Sequence, residues 1–519
     1  MSSPSEGSAP MPDAGGSPAS SSAPADSEER ASYRQIFKAT SIIGGAQVIS
    51  IVIGVARTKV FALLLGPAGI GLLGLLNALL SAAGMVAQMG MGAVGTRQIA
   101  EAHATGDQAR IALARRALMV ATLFLSVVGG GTVWLLRGPL ATYALRDAGL
   151  ATAVGWVGLG VALSVAAVAQ AALIQGMRRM WELAMLQIGG AVLLTVVGLP
   201  VVWLFGLAAV PFYVILMPIS GFVLGHVFVA RLGKLPPVTT TLPELAAQWR
   251  MFIAFGLPMM GAAVVGTLTT LWIQGHIKAE LGIEALGLFV AANTIAMQYA
   301  GLVLTAMAGD YFPRLSGVIK DKDAARQLVN QQTEVALLLA GPIILVMFAL
   351  APVVIALLYS SAFAPAADVL RWQTAGTLLK VVTWPMGFIL LAEGAGRVFF
   401  ATEVATVLVM ALATALAVDH YGIAGAGIGY FAAYVFYLPL MFAFAAPRIG
   451  LRWSGPVIRA MAIITAGLAA MLWPVLAPST LSLVFGAAVA GAATIILAIL
   501  AARALDLGRL LRKFSGAPS

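Results

Sequence analysis

The stretch Gly54–Glu101, GVARTKVFALLLGPAGIGLLGLLNALLSAAGMVAQMGMGAVGTRQIAE, decides how the chain is read. It carries parts of two apolar runs, at about 35–62 and 68–95, that meet at Gly66–Pro67. Each run has the roughly 20 residues that cross a ~30 Å hydrocarbon core. Neither alternates like a membrane β-strand, so the backbone must satisfy itself within helices. Comparable runs recur as far as residue 502, fourteen in all. The pattern predicts an all-α polytopic membrane protein with about fourteen transmembrane helices.

Composition points the same way. Of 519 residues, 60% are hydrophobic and 10% charged, against roughly 25% charged in soluble domains. So little charge cannot coat a globule of this size. The chain has no cysteine, which excludes disulfides, thiol catalysis and thiolate metal sites. His103, His226, His276 and His420 show no ligand spacing, so no metal and no cofactor is expected. No loop between runs exceeds about 20 residues, and neither G-x-x-x-x-G-K-[ST] nor G-x-S-x-G occurs, so no catalytic domain is expected. The G-x-G-x-x-G matches at Gly69–Gly74 and Gly90–Gly95 follow no strand and read as close-packing glycines.

The net charge of +10 could suggest nucleic acid, but the basic residues sit mainly in short loops between runs. With alternating spans, 24 of the 31 Lys and Arg fall on the side of the N-terminus. Arg137, Arg146, Lys278 and Arg371 fall on the other, and Arg57, Lys59 and Lys380 lie within spans. This asymmetry places both termini in the cytoplasm, and the expected location of the helical spans is a bacterial inner membrane. Residues 1–33, rich in Ser, Pro, Ala and Gly, lack the apolar core of a signal peptide and read as a disordered cytoplasmic tail.

A shift of 216 residues lays the second run on the eighth. Leu65, Gly66, Gly71, Leu72 and Asn77 then meet Leu281, Gly282, Gly287, Leu288 and Asn293. Six spans separate the copies, an even number, so they share one orientation. The expected plan is two pseudo-symmetric six-helix lobes, 34–235 and 236–446. Residues 447–519 add two helices and a basic cytoplasmic tail.

Polar residues in several spans keep to one helical face. In the first, Thr40, Gly44, Gln47, Ser50, Gly54 and Arg57 follow steps of three and four. The second has Asn77, Ser81, Gly84 and Gln88; the seventh has Thr267, Thr270, Gln274 and Lys278; the tenth has Gln373, Thr377 and Lys380. Hydroxyls and amides alone read as glue between helices. A cation inside a span costs roughly 2.5–3.5 kcal/mol on insertion scales and marks a pathway. Lys59, Lys278 and Arg371 could snorkel to an interface, but Lys380 lies too deep for that. The first six spans contain no Asp or Glu. A cationic, hydroxyl-rich cavity suits an anionic, hydroxyl-rich cargo. The candidate cavity residues are Arg57, Lys59, Lys278, Lys380, Gln47, Asn77, Gln88, Gln274 and Asn293. Asp310 and Glu403 are candidates for ion coupling.

The opening stretch resembles the start of bacterial O-antigen and exopolysaccharide translocases, lipid-linked oligosaccharide flippases of the multidrug/oligosaccharidyl-lipid/polysaccharide superfamily. The likeness is clearest over residues 35–105. It implies two six-helix lobes arranged as a V and working by alternating access. It implies export of an undecaprenyl-diphosphate-linked oligosaccharide for surface polysaccharide assembly, with polysaccharide polymerase and chain-length proteins as candidate partners. The family's positive cavity residues correspond here to candidates Arg57, Lys59, Lys278 and Lys380. Two readings on the same plan stay open. A multidrug antiporter would use embedded carboxylates, which the first lobe lacks. A peptidoglycan lipid-precursor flippase would carry an Arg-Asp pair where this chain reads GVARTKVFALLLG. An enzyme would need catalytic loops or clustered acids, and is not expected.

Overall fold

The computed structural model describes residues 23–232, 242–476 and 480–504. These residues form sixteen α-helices, and no strand occurs among them. The first half holds α1 (Ala23–Gln88), α2 (Met91–Ala104), α3 (Gln108–Leu135), the single turn α4 (Arg137–Pro139), α5 (Ala151–Gly176), α6 (Met180–Val196), α7 (Gly198–Phe205) and α8 (Val210–Ala230). The second holds α9 (Leu242–Val318), α10 (Lys322–Ala349), α11 (Ala351–Leu358), α12 (Ala366–Ala392), α13 (Gly396–Tyr421), α14 (Ala424–Ile449), α15 (Gly455–Leu476) and α16 (Thr480–Ala504).

Among the described residues, eleven helical segments are long and apolar enough to cross a membrane. Large apolar side chains such as Leu123, Leu135, Trp203 and Leu412 are exposed, as lipid contact requires. The sequence pattern gives fourteen separate spans. The difference lies in three segments of 42 to 51 residues, Ile42–Gln88, Met180–Ala230 and Met260–Gly301, each about twice the length one crossing needs. One further boundary differs. The first helix begins at Ala23, so residues 23–33 are helical where a tail was expected. Residues 1–22, Lys234 and the basic Arg509, Arg512 and Lys513 lie outside the described residues.

Glycine explains how two apolar runs join without a loop. Inside α1, Gly66 leaves helical geometry at φ 62°, ψ −166°. Inside α9, Gly282 does the same at φ 88°, ψ 173°. A side chain is strained at such positive φ, so glycine is the residue that permits the break. The two glycines are the pair that the 216-residue shift superposes.

The same spacing returns elsewhere. Helices α3 and α10 are both 28 residues long and start at residues 108 and 322. Each is capped by an aspartate whose carboxylate accepts two backbone N–H groups: Asp107 from Ala109 and Arg110, Asp321 from Asp323 and Ala324. Helices α5 and α12 start at 151 and 366, and α6 and α13 at 180 and 396.

Within the first half α5 packs on α3, α2 and α8; within the second, α14 packs on α12 and α13. The halves meet chiefly where α1 lies against α9. The contact is made by backbone. A methyl group added at Gly71 would overlap the Ile283 carbonyl oxygen and lie 2.9 Å from Gly287 N. One added at Gly287 would overlap the Pro67 carbonyl oxygen. Position 67 shifts onto 283 and 71 onto 287, so the contact is reciprocal, as at an isologous interface. The last two helices pack on α10, where Gly341 receives Ile464 and Leu497.

Gly287→Val should therefore force the halves apart locally. A stability loss of about 1–3 kcal/mol or more is expected from such overpacking. Thermal unfolding in mild detergent would read it. Gly491→Val, where nothing lies within 4 Å of an added methyl, should unfold with the wild type.

Candidate functional site

A cavity of about 700 Å³ lies between the halves. From the first half, both limbs of α1 reach it with Thr58, Gly74, Asn77 and Ser81. From the second, α9 gives Thr267, Thr270, Gln274 and Asn293; α12 gives Gln373 and Lys380; α14 gives Tyr430 and Tyr434. The break at Gly66 lets Thr58 on one limb and Asn77 on the other face the same space. Asn77 and Asn293, which the 216-residue shift superposes, both line it.

Polarity inside the cavity is concentrated on the second half. Gln373 Nε2 donates to Asn293 Oδ1 at 3.3 Å. The side-chain oxygens of Gln274 and Gln373 are buried and have no hydrogen-bond partner. An unmet buried acceptor costs about 1–3 kcal/mol, which a ligand hydroxyl or an ordered water would recover. Lys380 Nζ stands 6.0 Å from the centre of the Tyr434 ring, at the outer limit of a cation–π contact. Among the described residues it pairs with no carboxylate, and none of them that lines the cavity is an Asp or Glu.

Arg57 lines a smaller, adjoining cavity of about 150 Å³ that shares Thr58, Ile70, Leu73 and Asn77 with the first. Its guanidinium donates at 3.4 Å to the Ala191 carbonyl and at 3.5 Å to Thr195 Oγ1, both on α6. These are long bonds to neutral groups.

Lys59 and Lys278 do not line either cavity. Each crosses to the other half instead. From α1, Lys59 donates to the carbonyls of Ala356, at 2.8 Å, and Tyr359, at the C-terminus of α11. From α9, Lys278 donates at 3.2 Å to the Leu145 carbonyl and at 2.8 Å to Asp147 Oδ2. Leu145 ends the π-helical turn Leu140–Ala144 that follows α4. Both lysines thus meet the free carbonyls of a short helix in the same connection of the opposite half, where the helix dipole favours a cation. The donated hydrogen bond from Lys278 holds the Asp147 carboxyl below its ordinary range, against a weaker opposing pull from burial.

The other candidates are scattered. Gln47 is exposed on α1, and Gln88 is half-buried at the end of that helix. Asp310 is exposed and pairs with Arg314 one turn on at 3.0 Å. Glu403 on α13 accepts a hydrogen bond from the Tyr437 hydroxyl on α14, outside the cavity lining. Tyr430 and Tyr434 were not singled out from the sequence. Their spacing in YFAAYVFY, residues 430–437, puts them on one helical face, and that was the available signal.

Comparison with known proteins agrees with this architecture. The Lipid III flippase of Escherichia coli (strain K12) is 23% identical over 426 residues, 78% of this chain and 97% of that protein. A multidrug resistance MATE family transporter in an inward-facing conformation has the same fold, with a TM-score of 0.66 at 14% identity over 77% of this chain and 94% of that one. The lipid II flippase MurJ in an inward closed conformation aligns with a TM-score of 0.60 at 13% identity, over 89% and 99% of the two chains. Residues 36–319, more than half of the sequence, match the family described as "Polysaccharide biosynthesis protein". By that match the chain belongs to the polysaccharide biosynthesis protein family.

Proposed function

We propose that the protein is a flippase that moves an undecaprenyl-diphosphate-linked oligosaccharide from the cytoplasmic to the periplasmic leaflet by alternating access, for surface polysaccharide assembly. The observation that carries this is Lys380. Among the described residues it is a cation without a carboxylate partner, in a cavity between two halves that also offers Asn77, Asn293 and two unmet amide oxygens. Phosphate or an acidic sugar would meet the ammonium, and sugar hydroxyls the amides. Arg57 in the adjoining cavity extends the positive side. Relatives that bear the names of lipid-linked flippases support the reading. A multidrug antiporter would need a carboxylate facing the cargo, and the lining has none.

On this reading each of the three long apolar segments crosses twice, which gives fourteen spans in two six-helix lobes with α15 and α16 added. Recurrence of helix starts and of the Gly66 and Gly282 breaks supports that count. With both termini in the cytoplasm, Lys59 and Lys278 stand at the periplasmic end and latch it shut, and the cavity awaits cargo from the cytoplasm. The likeness to an inward-facing transporter fits this state. Glu403, rather than the surface-paired Asp310, is the better candidate for ion coupling. Polymerase and chain-length proteins remain candidate partners.

Two experiments test these assignments. Lys380→Ala and Arg57→Ala should each lower surface polysaccharide, and the double variant should abolish it, with normal protein accumulation. Loss of one charge-assisted contact, about 1.5–3 kcal/mol, weakens cargo binding roughly tenfold or more. Normal polysaccharide in all three variants would refute the cavity as the cargo site.

For the latch, the absence of cysteine permits labelling without background. A membrane-impermeant maleimide added from the periplasm should label Ser81→Cys slowly in the latched protein. It should label it several-fold faster after Lys59→Met and Lys278→Met together. The lowered Asp147 carboxyl is charged above the ordinary value near 3.9, so the pair loosens only when pH falls through a still lower value. Labelling should thus be flat from about pH 5 to 8. A rate that ignores both lysines would remove the latch.

A further inference from the structure

A second hollow lies away from the cavity, on the outer surface of the first half. It is a groove of about 560 Å³ between α3 and α5. Its floor is glycine. A methyl group at Gly130 would lie 2.7 Å from the Gly158 carbonyl oxygen, and one at Gly158 would lie 2.9 Å from that of Gly130. The two helices therefore touch backbone to backbone, and the side chains that normally fill such a crevice are missing. Trp134, Trp156 and Leu159 form its walls, and all three are exposed. At Gly131 an added methyl would meet nothing within 4 Å.

One end carries the groove's only charge, Arg137, just past the end of α3. Its guanidinium lies over the Trp134 ring, 4.6 Å from the centre. Among the described residues it has no carboxylate partner. From Ser126 to Arg137 the groove follows α3 and the turn just beyond it over eleven residue steps, or roughly 16 Å at 1.5 Å per residue. That is about half of a ~30 Å hydrocarbon core, the depth of one leaflet. A tryptophan and an arginine at the end of an apolar helix mark the level of the headgroups.

We propose that this groove binds an anionic phospholipid of the leaflet on the Arg137 side. One acyl chain lies on the glycine floor, and the phosphate pairs with Arg137. The depth selects a phospholipid: a polyprenyl chain as long as undecaprenyl would overrun a slot one leaflet deep. Charge complementarity selects an anionic head, because a zwitterionic one brings its own ammonium against the guanidinium. The site bears on the latch. Arg137 opens the short connection whose Leu145 carbonyl and Asp147 hold Lys278. A headgroup fixed at Arg137 braces that connection. The inference does not rest on which glycan the protein carries.

The test is native mass spectrometry of the full chain, delipidated in mild detergent and titrated with phosphatidylglycerol or phosphatidylethanolamine. Wild type should retain phosphatidylglycerol about tenfold better, the scale of one charge-assisted contact. Arg137→Gln should erase that preference. Gly131→Leu, which fills the groove but leaves the guanidinium, should lower retention of both lipids. Unchanged melting temperatures would show that both variants are folded. Equal retention of the two lipids by wild type, or wild-type retention in both variants, would overturn the proposal. Displacement of bound phosphatidylglycerol by an equimolar undecaprenyl phosphate would overturn the choice of occupant. Loss of polysaccharide export in Lys380→Ala would leave each of these readouts where it was.

Discussion

The two halves are held together by a contact between bare backbones. Where α1 crosses α9, Gly71 and Gly287 bring main-chain atoms closer than any side chain would allow. Such small-residue crossings are how helices associate in lipid, where apolar side chains gain little by leaving the solvent. Everything else follows from the place of that contact. Next to it, the breaks at Gly66 and Gly282 turn each helix so that both its limbs can face the interior. Next to it also, Lys59 and Lys278 reach over the seam to carbonyls of the opposite half. The cavity opens beside it, lined by Ile70, Gly74 and Asn77 on α1 and by Phe289, Val290 and Asn293 on α9.

The polar chemistry of that cavity is uneven. The first half contributes hydroxyls and one asparagine, all from α1. The second contributes threonines, amides, tyrosines and Lys380, drawn chiefly from α9, α12 and α14. Gln274 and Gln373 keep buried amide oxygens that meet no partner among the described residues.

The apolar runs, the Gly66 turn and its echo at Gly282 were legible in the sequence because each is a local signal. Span length is set by bilayer thickness, and a glycine at positive φ is set by sterics. Asn77, Asn293, Gln274 and Lys380 stood out for a related reason: polar groups deep in apolar helices must face something other than lipid, and all four line the cavity. Lys59 and Lys278 were misplaced because charge and depth alone cannot separate a cavity residue from one that bridges halves. The carbonyls they find belong to residues 356–359 and 145, far away in sequence. Segment boundaries were only partly legible, since helices that continue through a break leave no polar loop. The α3–α5 groove left no readable mark, because glycines that make a floor look like glycines that make a contact.

The pair α15 and α16 makes its main contacts with α10 and with itself. It therefore stands outside the seam, and a rearrangement that parted α1 from α9 would leave its packing untouched. These two helices are a handle: a rigid soluble domain fused to them would enlarge the particle for single-molecule or electron-microscopic work without clamping the moving parts.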